Sequence, residues 1–228
     1  LRRAQEICQA EASLSLDLQT YKQNLDGTLR ISVSNAASNI FMDNLLLPFS
    51  QTYPGVNFQI HEEAVSEQII SLKNNLIDVA YANAPLPEND SFNYLTMQKE
   101  QFYAVYHKNN TLNFHPNDRI TLKELQNLPI CCNYGCYNLL NNLCSAQGFS
   151  PQIRLISTTG TTATKFAENS SVVAVVSEVS CKHISDNLEK VLIKEENFIY
   201  YQTLFWSKQN RIIPILDKFI EFAKNNRK

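Results

Sequence analysis

The chain has 228 residues, 44% hydrophobic and 18% charged, enough for two compact lobes with real cores and a composition that argues against disorder. Twenty basic and twenty-two acidic side chains leave a net charge of −2, so there is no excess of positive charge with which to grip a nucleic acid unaided. The longest apolar runs, such as Val172 to Val176, are far too short for a bilayer, and LRRAQEICQAEAS lacks the apolar stretch and cleavage pattern of a secretion signal; the expectation is a cytoplasmic protein with no membrane contact.

The first 26 residues read as a linker or dimerisation helix. In sevens from Ala4, the a positions are Ala4, Glu11, Leu18 and Leu25 and the d positions Ile7, Leu14 and Tyr21, with Asp26-Gly27 as the stop. The same periodicity fits a helix docked on its own domain. The chain lacks an initiating Met, which points to a piece of something longer. After Gly27, strands and helices alternate. Thr28 to Ser34 reads as a strand, Ser38 to Thr52 as a helix with Phe41, Leu45 and Phe49 on one face, and Val56 to His61 as a second strand. A short helix from Ser66, its expected N-cap, to Asn75 precedes a third strand, Ile77 to Ala82. The series then repeats: strand Leu128 to Cys132, helix Tyr137 to Ala146, strand Gln152 to Ile156, helix Thr161 to Glu168, strand Val172 to Val176. This alternation marks parallel α/β structure with right-handed crossovers, here in two Rossmann-like lobes.

The order of a heptad-like helix, GTLRIS (27 to 32), LLLPFSQTYPGVNFQI (45 to 60) and LKNNLIDVAYA (72 to 82) resembles the effector-binding domain of LysR-type transcriptional regulators, whose fold is that of type 2 periplasmic binding proteins. The resemblance covers nearly the whole chain. It implies that QFYAVYH (101 to 107) carries the chain into a second lobe, that IYYQTLFW (199 to 206) brings it back, and that a last helix, Ile212 to Lys224, packs on the first lobe. Lobe I is then 27–103 plus 206–228 and lobe II 104–205. It further implies a sensor of a small polar or anionic metabolite, acting as a homodimer or homotetramer, with DNA contacted only through an N-terminal domain absent from this chain. The alternative with the same fold is a solute-binding protein feeding a transporter.

In such sheets ligands bind beyond the carboxyl ends of the parallel strands, where helix N-termini present unpaired N–H groups. That rule selects Ser34, Asn35 and Ala36; Val65 and Ser66; Asn83; Tyr134 and Gly135, beside Asn133; Thr159, Gly160 and Thr161, within the run 158 to 162; and Ser177. Matching loops line the effector site in LysR-type proteins. These positions hold hydroxyls and amides and no charged side chain, which suits a small carboxylate, a sulfate-like anion or a zwitterion and disfavours a cation.

PICCNYGCYNLLNNLC (129 to 144) holds four of the six cysteines. Its spacing, C-C-x3-C-x7-C with no histidine beside it, is a poor zinc pattern, and His61, His107, His115 and His183 are scattered. Some LysR-type regulators sense oxidants through second-lobe cysteines, and Cys136 at a helix start could have a lowered pKa, so Cys132 and Cys136 are redox candidates. The blander reading is that these thiols are small buried apolar groups. With five glycines there is no phosphate loop, and no nucleophile with a paired base can be read; neither an enzyme nor a cofactor is expected.

Overall fold

The structure, a computed structural model, describes residues 25–83, 86, 90–112, 114, 116–182, 184–209 and 213–227. The expected lead helix and its pairing seam at residues 4–21 lie outside the described residues.

In the first lobe β1 (Gly27–Val33) runs parallel between β2 (Val56–Glu62) and β3 (Val79–Asn83). The alternation of β1 puts Leu29, Ile31 and Val33 into one core while Ser32 faces the other side. All of β3 is buried, as expected of a strand covered on both faces. Arg30 and Asp78 clamp the end of these strands away from the cleft. Nη2 of Arg30 lies 2.6 Å from Oδ1 of Asp78, and the Arg30 backbone N–H donates to Oδ2 at 2.8 Å.

The second lobe repeats the arrangement, with β6 (Pro129–Asn133) parallel between β7 (Gln152–Ser157) and β8 (Val173–Ser177). Two long strands join the lobes. β4 (Phe92–His107) and β10 (Ile199–Ser207) pair antiparallel from Phe92 opposite Ser207 to Gln101 opposite Ile199. β10 then closes the first lobe beside β3, and β4 closes the second beside β8. Two further strands extend the second lobe: β9 (Leu188–Ile193) pairs with β4, and β5 (Arg119–Ile120) with β9. The crossing shows in the side chains. Leu95 and Leu204 pack in the first lobe, Phe102 and Tyr200 in the second, and the pairing shifts register at Gln202/Thr203, leaving Met97 without an opposite residue.

Several boundaries move from their expected places. The helix expected over 38–52 is α1 (Ser38–Phe41) and α2 (Leu47–Thr52) joined by a π-helical turn, Met42–Leu46, in which Leu47 N–H donates to the Met42 carbonyl. Pro48 has no N–H and its ring crowds the carbonyl four residues back, so a widened turn just before it relieves the clash. It also lets the consecutive Leu45 and Leu46 both reach the core. The next helix, α3, is Val65–Lys73, and its N-cap is Ala64 rather than Ser66, because the Glu67 carboxylate accepts the Ala64 N–H at 3.0 Å. α4 is Tyr134–Ala146, one turn earlier than expected, because the Asn133 side chain caps it by accepting the Cys136 N–H at 3.0 Å. α5 is Gly160–Glu168, capped by Thr159. The closing helix α6 is Pro214–Asn225; its Phe219 joins the first core.

Candidate ligand-binding site

The carboxyl ends of β1, β2 and β3 face those of β6 and β7 across a cavity of about 730 Å³. Eight of the twelve positions picked by the strand-end rule line it: Ser34, Asn35, Ala36, Val65, Ser66, Asn83, Tyr134 and Gly135, with Asn133 and Thr158 beside them. Thr159, Gly160 and Thr161 line a separate cavity of about 200 Å³, which shares Asn35 and Ala36 with the first. Gly160 is required there, since a Cβ would stand 2.2 Å from the Ser180 hydroxyl. Ser177 lines neither cavity. It is buried at the end of β8, and its hydroxyl bonds to Glu100.

Five lining residues escaped the rule. Asn138, Leu139 and Asn142 lie on the flank of α4, and Glu63 and its neighbour Ala64 follow β2. The helical residues share the face of Gly135, at three, four and seven positions on, so helical periodicity carried forward from Gly135 finds them. Glu63 corrects the expectation of a site without charge. Its half-buried carboxylate is oriented by two buried hydroxyls, accepting from Ser32 Oγ at 2.9 Å on one oxygen and from Ser71 Oγ at 3.4 Å on the other.

Beneath the cavity a buried polar network ties the lobes at the crossing strands. Glu100, 1% exposed, accepts from Asn83 Nδ2 at 2.6 Å, from Gln202 Nε2 and from Ser177. Tyr81 donates its hydroxyl to Gln202 Oε1 at 2.5 Å, and the Asn83 backbone N–H donates to Ser34 Oγ at 3.2 Å. Burial pushes the Glu100 carboxyl up, against the opposing pull of these hydrogen bonds, and Glu178 adds a like charge. Asn83 turns its amide nitrogen to Glu100, and its Oδ1 is left buried with no partner among the described residues; the Tyr200 hydroxyl is in the same condition. A side chain at Gly135 would meet that hydroxyl at 3.0 Å, so the glycine lets Tyr200 pack under the start of α4.

The cysteines divide between the two faces of β6. Cys132 packs with Cys136 and Cys144 under α4, while Cys131 faces α5 and donates to the Ala163 carbonyl at 3.3 Å. Five cysteines are described, all free thiols and all buried. The expected lowering of the Cys136 pKa is reversed: complete burial and the neighbouring thiols, Cys132 first, push it well up, and this desolvation outweighs the helix start. Burial likewise raises Cys131 and Cys181 to about 12 and Cys144 to about 11. Among the described residues no cluster of His, Cys, Asp or Glu is placed to hold a metal, and no helix is long and apolar enough to cross a membrane.

Comparison with known proteins follows the same lines. The chain is 29% identical over 136 residues to the HTH-type transcriptional regulator YvbU of Bacillus subtilis (strain 168), a match covering 59% of this chain and 41% of that protein. The chain thus matches about two fifths of that relative's length. Its fold superposes on full-length CbnR complexed with its target DNA with a TM-score of 0.77 at 16% identity, covering 100% of this chain and 78% of that one. Against the effector-binding domain of QuiR in complex with shikimate the TM-score is 0.74 at 18% identity, covering 87% and 95% of the two chains. The signature of the LysR substrate binding domain matches residues 22–228, and the chain belongs to that family.

Proposed function

We propose that this chain is the ligand-sensing part of a LysR-type transcriptional regulator that works in the cytoplasm. A small polar molecule enters the interlobe cavity, and the resulting change in lobe geometry passes to a DNA-binding segment outside these residues. The observation that carries the reading is the cavity itself: about 730 Å³, walled by the strand ends of both lobes, directly above the two strands that join them. The relatives agree with it, since one is a regulator, one is bound to DNA and one holds a small ring compound in the corresponding domain. The hinge of this proposal lies where β4 and β10 change cores, near Gln101 and Gln202, a few residues inside the boundaries 103 and 205 drawn from the sequence. The heptad seam of Ile7, Leu14, Leu18 and Tyr21 pairs two copies, which sedimentation of a Leu14→Glu, Leu18→Glu variant checks by its shift to monomer.

A thermal-shift screen of metabolites tests the central claim. A ligand present at a hundred times its dissociation constant stabilises the chain by about 2.7 kcal/mol. Asn138→Trp fills the main cavity from an exposed helical position and leaves both cores alone, so it abolishes the shift with stability changed by about 0.5 kcal/mol or less. A shift that persists undiminished in Asn138→Trp places the ligand elsewhere.

A further inference from the structure

The two walls of the main cavity differ: each presents the start of a helix, at Val65–Ser66 and at Tyr134–Gly135, but only the first carries a charge. The first lobe contributes acceptors. Glu63 is the one charged side chain among the described lining residues, and Ser32 and Ser71 hold its carboxylate in place while using one hydrogen bond on each oxygen. A carboxylate accepts about four, so both oxygens keep capacity. Asn83 adds a second acceptor. Glu100 fixes which way its amide faces, and the remaining Oδ1, in a residue 5% exposed, has no partner among the described residues. A buried acceptor of this kind calls for a donor from something the fold does not itself supply. The second lobe contributes donors. α4 is thirteen residues long and opens onto the cavity at Tyr134 and Gly135; Asn133 takes the Cys136 N–H and leaves the first two N–H groups beyond the reach of the helix's own carbonyls.

A ligand that carried only a carboxylate would meet Glu63 as a like charge and find no Lys, Arg or His among the described lining residues. A ligand that carried only an ammonium would leave the start of α4 unused. We infer that the cavity takes a zwitterion of the α-amino acid class with an uncharged side chain, its ammonium between Glu63 and Asn83 and its carboxylate at Tyr134–Gly135. Such a molecule spans the cleft and draws the lobes together. Its side chain meets Val65, Leu139 and the Tyr134 ring, where a second charge has no counterpart. The inference rests on the interlobe cavity being the ligand site, and it selects the zwitterion from the three classes, carboxylate, sulfate-like anion and zwitterion, that the strand-end positions alone leave open.

The test is calorimetric titration of the 228-residue chain with each of the twenty standard L-amino acids, then with truncated analogues of the tightest. For leucine these are 4-methylpentanoate and 3-methylbutylamine; for phenylalanine, 3-phenylpropanoate and 2-phenylethylamine. At least one uncharged amino acid binds, and each truncated analogue binds at least about tenfold more weakly, as expected for loss of one charge-assisted contact. Glu63→Gln weakens the amino acid by about tenfold or more and leaves the deaminated acid unchanged or tighter. Ser32→Ala, which only frees the carboxylate to turn, shows the same preference in smaller measure, so the test survives if Glu63→Gln does not fold. The inference is overturned if no amino acid binds, if the deaminated acid binds as tightly as its parent, or if folded Glu63→Gln keeps full affinity. Carboxylates that bind without their amino acids, and are lost in Asn138→Trp, would overturn the zwitterion while leaving the cavity as the site. Amino-acid binding that survives Asn138→Trp would overturn both.

Discussion

In the first lobe β1 runs parallel between β2 and β3 with β10 antiparallel beyond; in the second β6 runs parallel between β7 and β8 with β4 antiparallel beyond. One strand order therefore builds both halves and aims both sets of strand ends at the same cavity. The fillings differ. Between its sheet and helices the first lobe stacks rings, with Phe49 5.0 Å from Phe219, 5.4 Å from Phe222 and 4.7 Å from Tyr53. The second lobe has rings too, with Phe102 stacked on Phe198 at 4.1 Å, but directly under α4 its filling is Cys132, Cys136 and Cys144 with Leu140. The walls differ as well, since both lobes present a helix start but the first adds a carboxylate and the second the flank of a long helix. Topology thus places the cavity, and the residues hung on it set the chemistry of its walls.

The sharpest contrast is between the cores. Phe49 is fully buried among four rings, so Phe49→Ala removes a large volume that its neighbours cannot refill, and a loss of about 3–5 kcal/mol follows. Trp206, the single tryptophan, packs against this core and reports its unfolding in a urea titration. A loss below about 1 kcal/mol would mean that the rings repack freely and that the first lobe owes little to them. A smaller effect is expected at the clamp. Asp78→Ala strands Arg30 and the Arg30 backbone N–H together, for a loss of about 2–3 kcal/mol, with the lower figure favoured because Arg30 is 37% exposed.

The crossing strands are shared by both lobes, and their buried carboxylate makes stability depend on pH. Glu100 has its pKa raised by burial, so through the window from the ordinary carboxylate range up to that raised value the folded chain holds a proton that the unfolded chain has released. Its contribution is therefore fully present at low pH and is lost as pH rises through the window, with a slope of at most about 1.4 kcal/mol per pH unit. Glu178 and the donors Asn83, Gln202 and Ser177 face the same carboxyl, and the like charge of Glu178 acts in the same direction as burial. Urea titrations from pH 4 to pH 8 check this against Glu100→Gln, in which the falling segment flattens. A slope identical in the variant would assign the dependence to other groups.

Much of this was legible in the sequence. Apolar alternation located the six parallel strands. The misses have physical causes. Phe92 to Glu100 lacks a clean alternation because that part of β4 is held by its long-range pairing with β10, which no local window sees. β9 was hidden by Glu189 and Lys190 in its middle, and β5 is two residues long. At the site, the strand-end rule reads loops and therefore missed a helix flank. It also missed Glu63, because β2 runs one residue further than expected and carries its acidic tail to the cavity edge. The stretch of four cysteines gave the density of thiols but not their burial, which depends on strands and helices far along the chain.

The smallest effect expected is in the thiol core, where the contrast with the ring core is most easily broken. Thiolate is the reactive form, and burial holds Cys131 and Cys181 at about 12, Cys144 at about 11 and Cys136 well above its ordinary value. A side chain of this kind behaves as a small apolar group, so Cys136→Ala removes one sulfur and costs about 1 kcal/mol, several times less than the loss of Phe49. The same burial blocks labelling. Native chain treated with an alkylating reagent at neutral pH leaves Cys131, Cys132, Cys136, Cys144 and Cys181 unmodified by mass mapping, and urea exposes all of them together. A Cys132 to Cys136 disulfide after mild peroxide, or fast labelling of Cys136 in the folded chain, would show that the lobe opens often enough for redox chemistry and that its core is looser than the packing around Leu140 implies. Labelling only on unfolding would leave these thiols as packing groups that matter for volume alone.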